Sequence, residues 1–146
     1  MRTIVTTAEI AAPASKVFEF VSDQLNAPLW QAGLKSVRRT TDGPIGVGSK
    51  HVFVRSFARR TVESTNEFVE FVPGEYVRFE IGDNSMTGVA SYRVLPINDE
   101  RCEMISTLRF IKLGWMAPLA PLLRRALIKE TNRDEQALKT LLESST

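Results

Sequence analysis

The stretch PLAPLLRRALIKETNRDEQALKTLLE, residues 118–143, decides the fold. Its apolar residues recur at helical spacing, which predicts a long amphipathic helix at the end of the chain. The apolar stripe consists of Leu119, Leu122, Leu123, Ala126, Leu127, Ala137, Leu138 and Leu141. A helix with one apolar face must bury that face against another layer of structure.

The chain before this helix predicts that layer. Strand-like runs at 34–41, 47–58, 60–72, 75–82, 86–95 and 101–112 are separated by turn residues such as Asp42-Gly43-Pro44, Pro73-Gly74, Gly82-Asp83-Asn84 and Pro96-Ile97-Asn98-Asp99. Connections this short favour hairpins and therefore an antiparallel meander. A further strand at 2–11 places Ile4, Thr6, Ala8 and Ile10 on one face.

Two short helices are expected between the first strand and the meander. Pro13 suits a first helical turn, and Ala14, Val17, Phe18, Val21 and Leu25 follow it at helical spacing. A second short helix is predicted at 28–32, where Gly33 would end it. The fold class is therefore α+β, with a curved antiparallel sheet of about seven strands wrapped around the C-terminal helix.

Composition fits one globular domain over residues 1–146. Hydrophobic residues make up 43% and charged residues 25% of the 146, so a substantial core is expected. The net charge is +2, from 19 Lys and Arg against 17 Asp and Glu. Because the basic residues are dispersed, nucleic acid is not an expected partner.

Metal, cofactor and membrane-spanning segments are not expected either. Cys102 is the one cysteine and His51 the one histidine, so no disulfide and no Cys/His metal site can form within the chain. The first residues lack the apolar core of a secretion signal. The longest apolar stretch, 113–123, is short and broken by glycine and proline, so integral membrane association is not expected. A cytoplasmic protein is the simplest expectation.

The order of these elements, with particular residues at particular places, resembles the polyketide cyclase/dehydrase family of the START-like (helix-grip) superfamily. The matching stretches are Ile10-Ala11-Ala12-Pro13 before Val17-Phe18, the Asn-x-Pro-x-Trp of residues 26–30, Gly46-Val47-Gly48-Ser49, residues 67–73, Tyr92-Arg93-Val94 and the closing residues 137–143. The similarity covers nearly the whole chain.

The resemblance implies a cavity between the sheet and the last helix that takes a small, largely hydrophobic molecule, polyketide-like, lipid-like or aromatic. The fold hosts both binding proteins and enzymes, so fold alone does not choose between them. A binding or carrier protein needs only the cavity. A cyclase or dehydratase would also need acid/base groups in it, and a module that binds a protein partner remains a third alternative.

Glu130 is the first candidate for acid/base chemistry. The apolar stripe of the last helix is interrupted by a polar stretch at 129–136, in which Glu130 lies in phase with the stripe and Asp134 one turn later. A carboxyl group in a cavity would have a raised pKa and could move protons or hold a ligand hydroxyl. The alternatives are a salt bridge to a strand arginine, such as Arg55 or Arg109, and a helix end that reaches water.

His51 is the second candidate, because histidine is the side chain whose ordinary pKa lies near neutrality. By alternation it shares a strand face with Phe53, Arg55 and Phe57. It is therefore either an acid/base group of the cavity or an ordinary surface histidine.

Ligand contacts are expected from large side chains on the strands and on the last helix. The candidates are Trp30, Phe53, Phe79, Met86, Tyr92, Met104, Trp115, Met116, Leu123, Leu127 and Asp134. Trp115 and Met116 belong to the segment 113–119, which the resemblance places at the mouth of the cavity. That segment is a gate, a ligand contact, the surface of a homodimer, or an apolar loop folded against the sheet.

Overall fold

The structure is a computed structural model that describes residues 3–57, 59–83 and 86–144. Arg2, Ala58 and Asn84, which belong to predicted strands and a predicted turn, lie outside the described residues, as does the side chain of Phe57. The strands are β1 (Ile4–Ile10), β2 (Leu34–Arg39), β3 (Lys50–Phe57), β4 (Arg60–Val72), β5 (Tyr76–Gly82), β6 (Thr87–Asn98) and β7 (Arg101–Lys112). The helices are α1 (Ala14–Ser22) and α2 (Ala120–Ser144), with 3₁₀ helices at Gln24–Leu29 and Gly114–Leu119.

The seven strands form one antiparallel sheet in the order β1-β7-β6-β5-β4-β3-β2. Strands β2 to β7 are the predicted meander, and β1 pairs with β7, with Ile4 opposite Leu108 and Ile10 opposite Cys102. The predicted fold class, a curved antiparallel sheet with a long C-terminal helix, is confirmed. Gly74, in the turn between β4 and β5, has a φ of 80°, which glycine adopts without strain.

One face of the sheet is buried, as the alternating pattern predicts. β1 alternates buried and exposed residues along its whole length. Phe68 of β4 is fully buried and packs against the rings of Phe71 and Phe79, with centroids 6.2 and 5.9 Å away. Helix α1 adds Val17, Phe18 and Val21 to this cluster. The solid part of the core therefore lies next to α1.

The buried face of α2 differs from the predicted stripe. Leu138 and Leu142 are buried as part of the core, but Leu119 and Leu122 are 43% and 63% exposed. The reason is that α2 begins at Ala120, after a 3₁₀ helix, and turns Leu123 inward at its first end. The prediction that Leu119 and Leu122 pack against the sheet is therefore wrong.

The far end of α2 is fastened to β1 by polar contacts. The Ala11 N–H donates to Glu143 Oε2 at 2.8 Å, and Lys139 Nζ donates to the Glu9 carbonyl at 2.9 Å. Lys139 and Glu143 also form an ion pair at 3.0 Å. These contacts fix the C-terminal half of the helix over the sheet.

Several element boundaries differ from the predictions; β3, for example, begins at Lys50 instead of 47. The second short helix is a 3₁₀ helix at Gln24–Leu29 rather than at 28–32, because the Asp23 carboxylate accepts from the Leu25 N–H at 3.1 Å and starts the turn early. β6 continues through Pro96 to Asn98. Beyond Val94, whose N–H donates to the Glu75 carbonyl at 2.9 Å, it pairs with β7 alone, and a residue without an N–H is tolerated at such an edge.

Candidate functional site

A cavity of about 260 Å³ lies between the inner face of the sheet and α2. Its apolar wall consists of Ile4, Trp30, Phe53, Val62, Phe79, Ile81, Met86, Ala90, Leu108, Phe110, Leu123 and Leu127. Its polar wall consists of Thr6, Gln24, Gln31, Arg55, Ser56, Ser64, Asn66, Asp83, Tyr92, Ser106, Thr107, Glu130, Thr131 and Asp134. The cavity thus lies along α2 from Leu123 to Asp134 and borders the aromatic core at Phe79.

Many of the residues predicted to bind a ligand lie on this wall. They are Trp30, Phe53, Phe79, Met86, Tyr92, Leu123, Leu127, Glu130 and Asp134. Met104 is instead fully buried in the core. His51, Trp115 and Met116 are not on the wall either. Because the residues named first line the cavity, each of them is available to a ligand. That they contact a ligand stays a prediction.

Three aromatic side chains form a continuous part of the wall. The Tyr92 ring lies 6.0 Å from Trp30 and 5.6 Å from Phe79, centroid to centroid, the second pair edge to face. Trp30 is brought there by the 3₁₀ helix before β2, whereas Phe79 and Tyr92 come from the paired strands β5 and β6. An aromatic surface of this kind suits a flat, apolar ligand.

Tyr92 also supplies the cavity with a neutral hydroxyl. Burial raises the pKa of Tyr92 to about 12, and the nearby Arg55 charge opposes the shift. The phenol is therefore protonated at neutral pH and can donate a hydrogen bond. Arg55, from β3, places its guanidinium carbon 5.3 Å from the centre of the Phe53 ring.

Asp134 is the most deeply buried carboxyl group on the wall, at 7% exposed. It accepts a hydrogen bond from the Ala32 N–H at 3.3 Å and pairs with Arg133 at 3.3 Å. Burial raises the pKa of Asp134, while these two contacts and the Arg55 charge lower it in part. Asp134 therefore has the properties of a proton-transfer group more fully than Glu130 does.

Glu130 reaches the wall from a more open position, with 34% of its side chain exposed. Within the described residues its ion pair is with Arg133 on the same helix, at 3.8 Å, instead of with Arg55 or Arg109. Its carboxylate also packs over Gly33, since a Cβ at that glycine would lie 2.9 Å from Glu130 Oε1. The absence of a side chain at Gly33 therefore gives Glu130 its place.

Glu135 was not among the predicted site residues, yet it is 2% exposed and faces β1. Burial raises the pKa of Glu135, and the Thr6 hydroxyl opposes the shift from nearby, although no hydrogen bond of standard geometry joins them. The sequence could have predicted this burial, because Glu135 lies three residues before Leu138 and therefore on the same face of α2.

Several buried polar atoms of the wall have no hydrogen-bond partner among the described residues. They are the hydroxyl oxygens of Thr6 and Ser106 and both side-chain atoms of the Asn66 amide. Thr6 and Ser106 are paired across β1 and β7, and Asn66 lies on β4, 2% exposed. Buried polar groups nearly always find a partner, so these atoms are available to a bound molecule or to water.

His51 is buried, so the surface alternative for it is wrong. It is 1% exposed, lies opposite Asn66 in the β3–β4 ladder and packs 5.6 Å from the Phe68 ring centre. Burial and the Arg39 charge lower the pKa of His51, and Asp23 opposes them. The imidazole is therefore neutral at pH 7 and lies behind the wall rather than on it.

Trp115 and Met116 point in different directions. Met116 is buried at 6% exposed, whereas Trp115 is 61% exposed on the 3₁₀ helix before α2.

Within the described residues, no group of three metal-ligating side chains occurs. No helix in that part of the chain is long and apolar enough to cross a bilayer.

Comparison with known proteins identifies the family. The sequence profile described as polyketide cyclase / dehydrase and lipid transport matches residues 1–143. The chain belongs to this family. Its description covers both enzymes and lipid carriers, so membership by itself supports binding of a small hydrophobic molecule or cyclase-type chemistry. A comparison with curated proteins gives no match.

Solved structures share the fold at low sequence identity. A START superfamily protein from Mycobacterium smegmatis has a TM-score of 0.80 at 16% identity, with 99% of each chain covered. The ZhuI aromatase/cyclase from Streptomyces sp. R1128 has a TM-score of 0.79 at 16% identity, covering 97% of this chain and 93% of that one. The di-domain aromatase/cyclase BexL of the BE-7585A biosynthetic pathway has a TM-score of 0.76 at 16% identity. The match covers 96% of this chain but only 46% of BexL.

Proposed function

We propose that this protein binds a small, largely hydrophobic molecule that carries at least one hydroxyl or carbonyl group. The observation on which this rests is that buried polar atoms of Thr6, Asn66 and Ser106, on a wall that combines apolar and polar side chains, have no hydrogen-bond partner among the described residues. A ligand without oxygen would leave them unsatisfied at a cost of about 1–3 kcal/mol each. A ligand oxygen placed at Asn66, or at the Thr6–Ser106 pair on the other side of β5 and β6, would gain a hydrogen bond that water in the open cavity otherwise supplies.

A pair of matched probes tests this proposal. 2-Naphthol and 2-methylnaphthalene have nearly the same shape, and only the first has a hydroxyl. We expect 2-naphthol to bind about ten times more tightly, because one buried hydrogen bond is worth about 1–1.5 kcal/mol. Ligand-detected NMR titration gives both dissociation constants.

The control is Asn66→Leu, which replaces the amide by an apolar group of similar size. The proposal expects the difference between the two probes to shrink in this variant, while the affinity for 2-methylnaphthalene stays equal or rises. Equal affinities of the wild-type protein for both probes, or an undiminished difference in Asn66→Leu, would count against a polar subsite at this wall.

A second candidate function, a cyclase or dehydratase, is favoured by the grouping of Asp134, Tyr92 and Arg55. The buried carboxyl group could remove a proton from a carbon between two carbonyls, and the phenol and guanidinium could stabilise the enolate oxygen that forms. This is the chemistry with which ring closure of a poly-carbonyl chain begins. Glu130 and His51, the groups first predicted for this role, are less well placed for it.

Deuterium exchange tests the second candidate without a known substrate. Benzoylacetone in deuterated buffer exchanges the protons of the carbon between its two carbonyls, and the protein should accelerate this exchange above the buffer rate. Asp134→Asn should abolish the acceleration, and Glu130→Gln should retain most of it. Exchange at the buffer rate with the wild-type protein would leave binding as the function.

A further inference from the structure

An apolar patch is exposed at the end of the molecule where the cavity lies. It consists of Ile111 at the end of β7, Trp115 and Leu119 on the 3₁₀ helix, and Leu122 in the first turn of α2, and we call it the mouth patch. These side chains are 64%, 61%, 43% and 63% exposed, respectively. Exposed apolar residues grouped on one connected segment mark an interaction surface.

The charged residues that neighbour the mouth patch in the sequence are all basic. Between Glu103 and Glu130 the sequence contains no acidic residue. The same stretch contains Arg109, Lys112, Arg124, Arg125 and Lys129. Since the whole chain carries a net charge of only +2, the basic charge is concentrated here. An acidic residue, Asp83, lies on the β5–β6 turn, which also borders the cavity. Its carboxylate accepts a hydrogen bond from the Met86 N–H at 2.8 Å.

We infer that the mouth patch docks the protein on the surface of a membrane that contains anionic lipid. Tryptophan and leucine side chains insert at the boundary between head groups and acyl chains, and flanking lysine and arginine bind anionic head groups. Both Lys112, which follows Ile111 in the chain, and Arg125, one helical turn after Leu122, are exposed. The binding is peripheral, since α2 is amphipathic and carries buried carboxylates.

Because the mouth patch adjoins residues that line the cavity, docking would also bring the membrane close to the cavity. Leu123, which follows Leu122 in the first turns of α2, lines the cavity, as does Phe110, although Phe110 points to the opposite face of β7 from Ile111. A membrane in contact with the patch would therefore lie against the rim of the cavity. An apolar molecule could then pass between bilayer and cavity with little exposure to water. The docking itself does not depend on the proposed function.

Co-sedimentation with vesicles that contain no added ligand tests the inference. Phosphatidylcholine vesicles with phosphatidylserine should bind the protein, and vesicles of phosphatidylcholine alone should bind it much more weakly. Lys112→Glu together with Arg125→Glu should weaken binding by at least roughly 25-fold, since each basic residue near an anionic surface contributes about fivefold. Trp115→Ser should also weaken binding, including at high salt, where the charge contribution is screened.

Matched controls keep the result specific. Ile97→Ser removes an aliphatic residue that is 53% exposed at the other end of the β6–β7 hairpin, and Arg93→Glu reverses an exposed charge on the outer face of β6. Both should bind the vesicles like the wild-type protein. Circular dichroism melts establish that all variants fold.

Four outcomes would overturn the inference. They are failure of the wild-type protein to bind phosphatidylserine vesicles, binding that does not depend on phosphatidylserine, patch variants that bind like the wild-type protein, and control variants that lose binding equally. Failure to bind vesicles, combined with loss of self-association in Trp115→Ser, would assign the patch to a homodimer instead. Ligand binding in the cavity would be unaffected by any of these results.

Discussion

At the scale of single residues, two buried carboxyl groups of α2 contribute to how stability responds to pH. Asp134 and Glu135 are 7% and 2% exposed, and burial raises the pKa of both. In the folded protein each therefore favours its protonated form. Such a group contributes stability below its unfolded pKa, and the contribution is lost as the pH rises through the higher folded pKa.

Glu135→Gln tests this at one position. We expect the free energy of unfolding to rise by about 1 kcal/mol at pH 8, because ionisation of the wild-type carboxyl group is disfavoured in this buried site, whereas glutamine carries no charge. At pH 4 both forms are neutral, so the variant and the wild-type protein should have nearly equal stability. Urea denaturation at a series of pH values measures the difference.

Glu80→Gln, at an exposed position of β5, serves as the control and should leave the pH dependence unchanged. A Glu135→Gln protein whose stability follows the wild-type curve from pH 4 to pH 8 would mean that Glu135 is not held in a desolvated site.

The sequence predicts the strand residues of the site better than the helix residues. Alternation along β3 and β5 is enough to place Phe53 and Phe79 on the inner face. On α2 a rotation of a few tens of degrees decides which members of the polar stretch are buried, and the sequence does not fix it. Glu130 was therefore preferred, whereas the structure buries Asp134 and Glu135 more deeply.

At the scale of elements, the close approach of β6 and β7 explains why residue 88 is a glycine. A Cβ at Gly88 would lie 2.9 Å from the Arg109 carbonyl oxygen of β7, and backbone cannot move aside easily. Gly88→Ala should therefore lower the free energy of unfolding by about 2 kcal/mol. Thermal and urea denaturation measure the change.

Gly33→Ala is the matched comparison, because its Cβ would also meet an atom at 2.9 Å, namely Glu130 Oε1. That oxygen ends a flexible side chain and can move, so the stability should change by less than about 0.5 kcal/mol, within the range of ordinary surface substitutions. Equal losses from the two variants would contradict the close β6–β7 approach.

The orientation of α2 gives a further prediction. Leu138→Ala should cost about 2–5 kcal/mol of unfolding free energy, because its side chain is completely buried in the core. Leu122→Ala, at a residue that is 63% exposed, should cost less than about 0.5 kcal/mol. The apolar stripe alone would have assigned both to the packed face, so comparable losses would support the stripe and contradict the observed orientation.

At the scale of the whole molecule, the sequence predicts the architecture but not the location of the cavity. Turn residues and alternation define the meander, and the helical stripe defines α2. The cavity depends on where side chains from distant elements stop filling the space between sheet and helix. Phe68 and Phe71 fill that space beside α1, whereas the smaller side chains of Thr6, Ser106 and Asn66 line the cavity.

The central claim is that a ligand binds in this cavity, whose wall carries buried polar atoms without a hydrogen-bond partner among the described residues. An NMR titration of the isotopically labelled protein with 2-naphthol tests it most directly. The claim predicts saturable shifts at the Asn66 side-chain amide and at the signals of Phe79, Tyr92 and Leu127. Shifts confined to Trp115 and its neighbours, or no saturable shift anywhere, would contradict it.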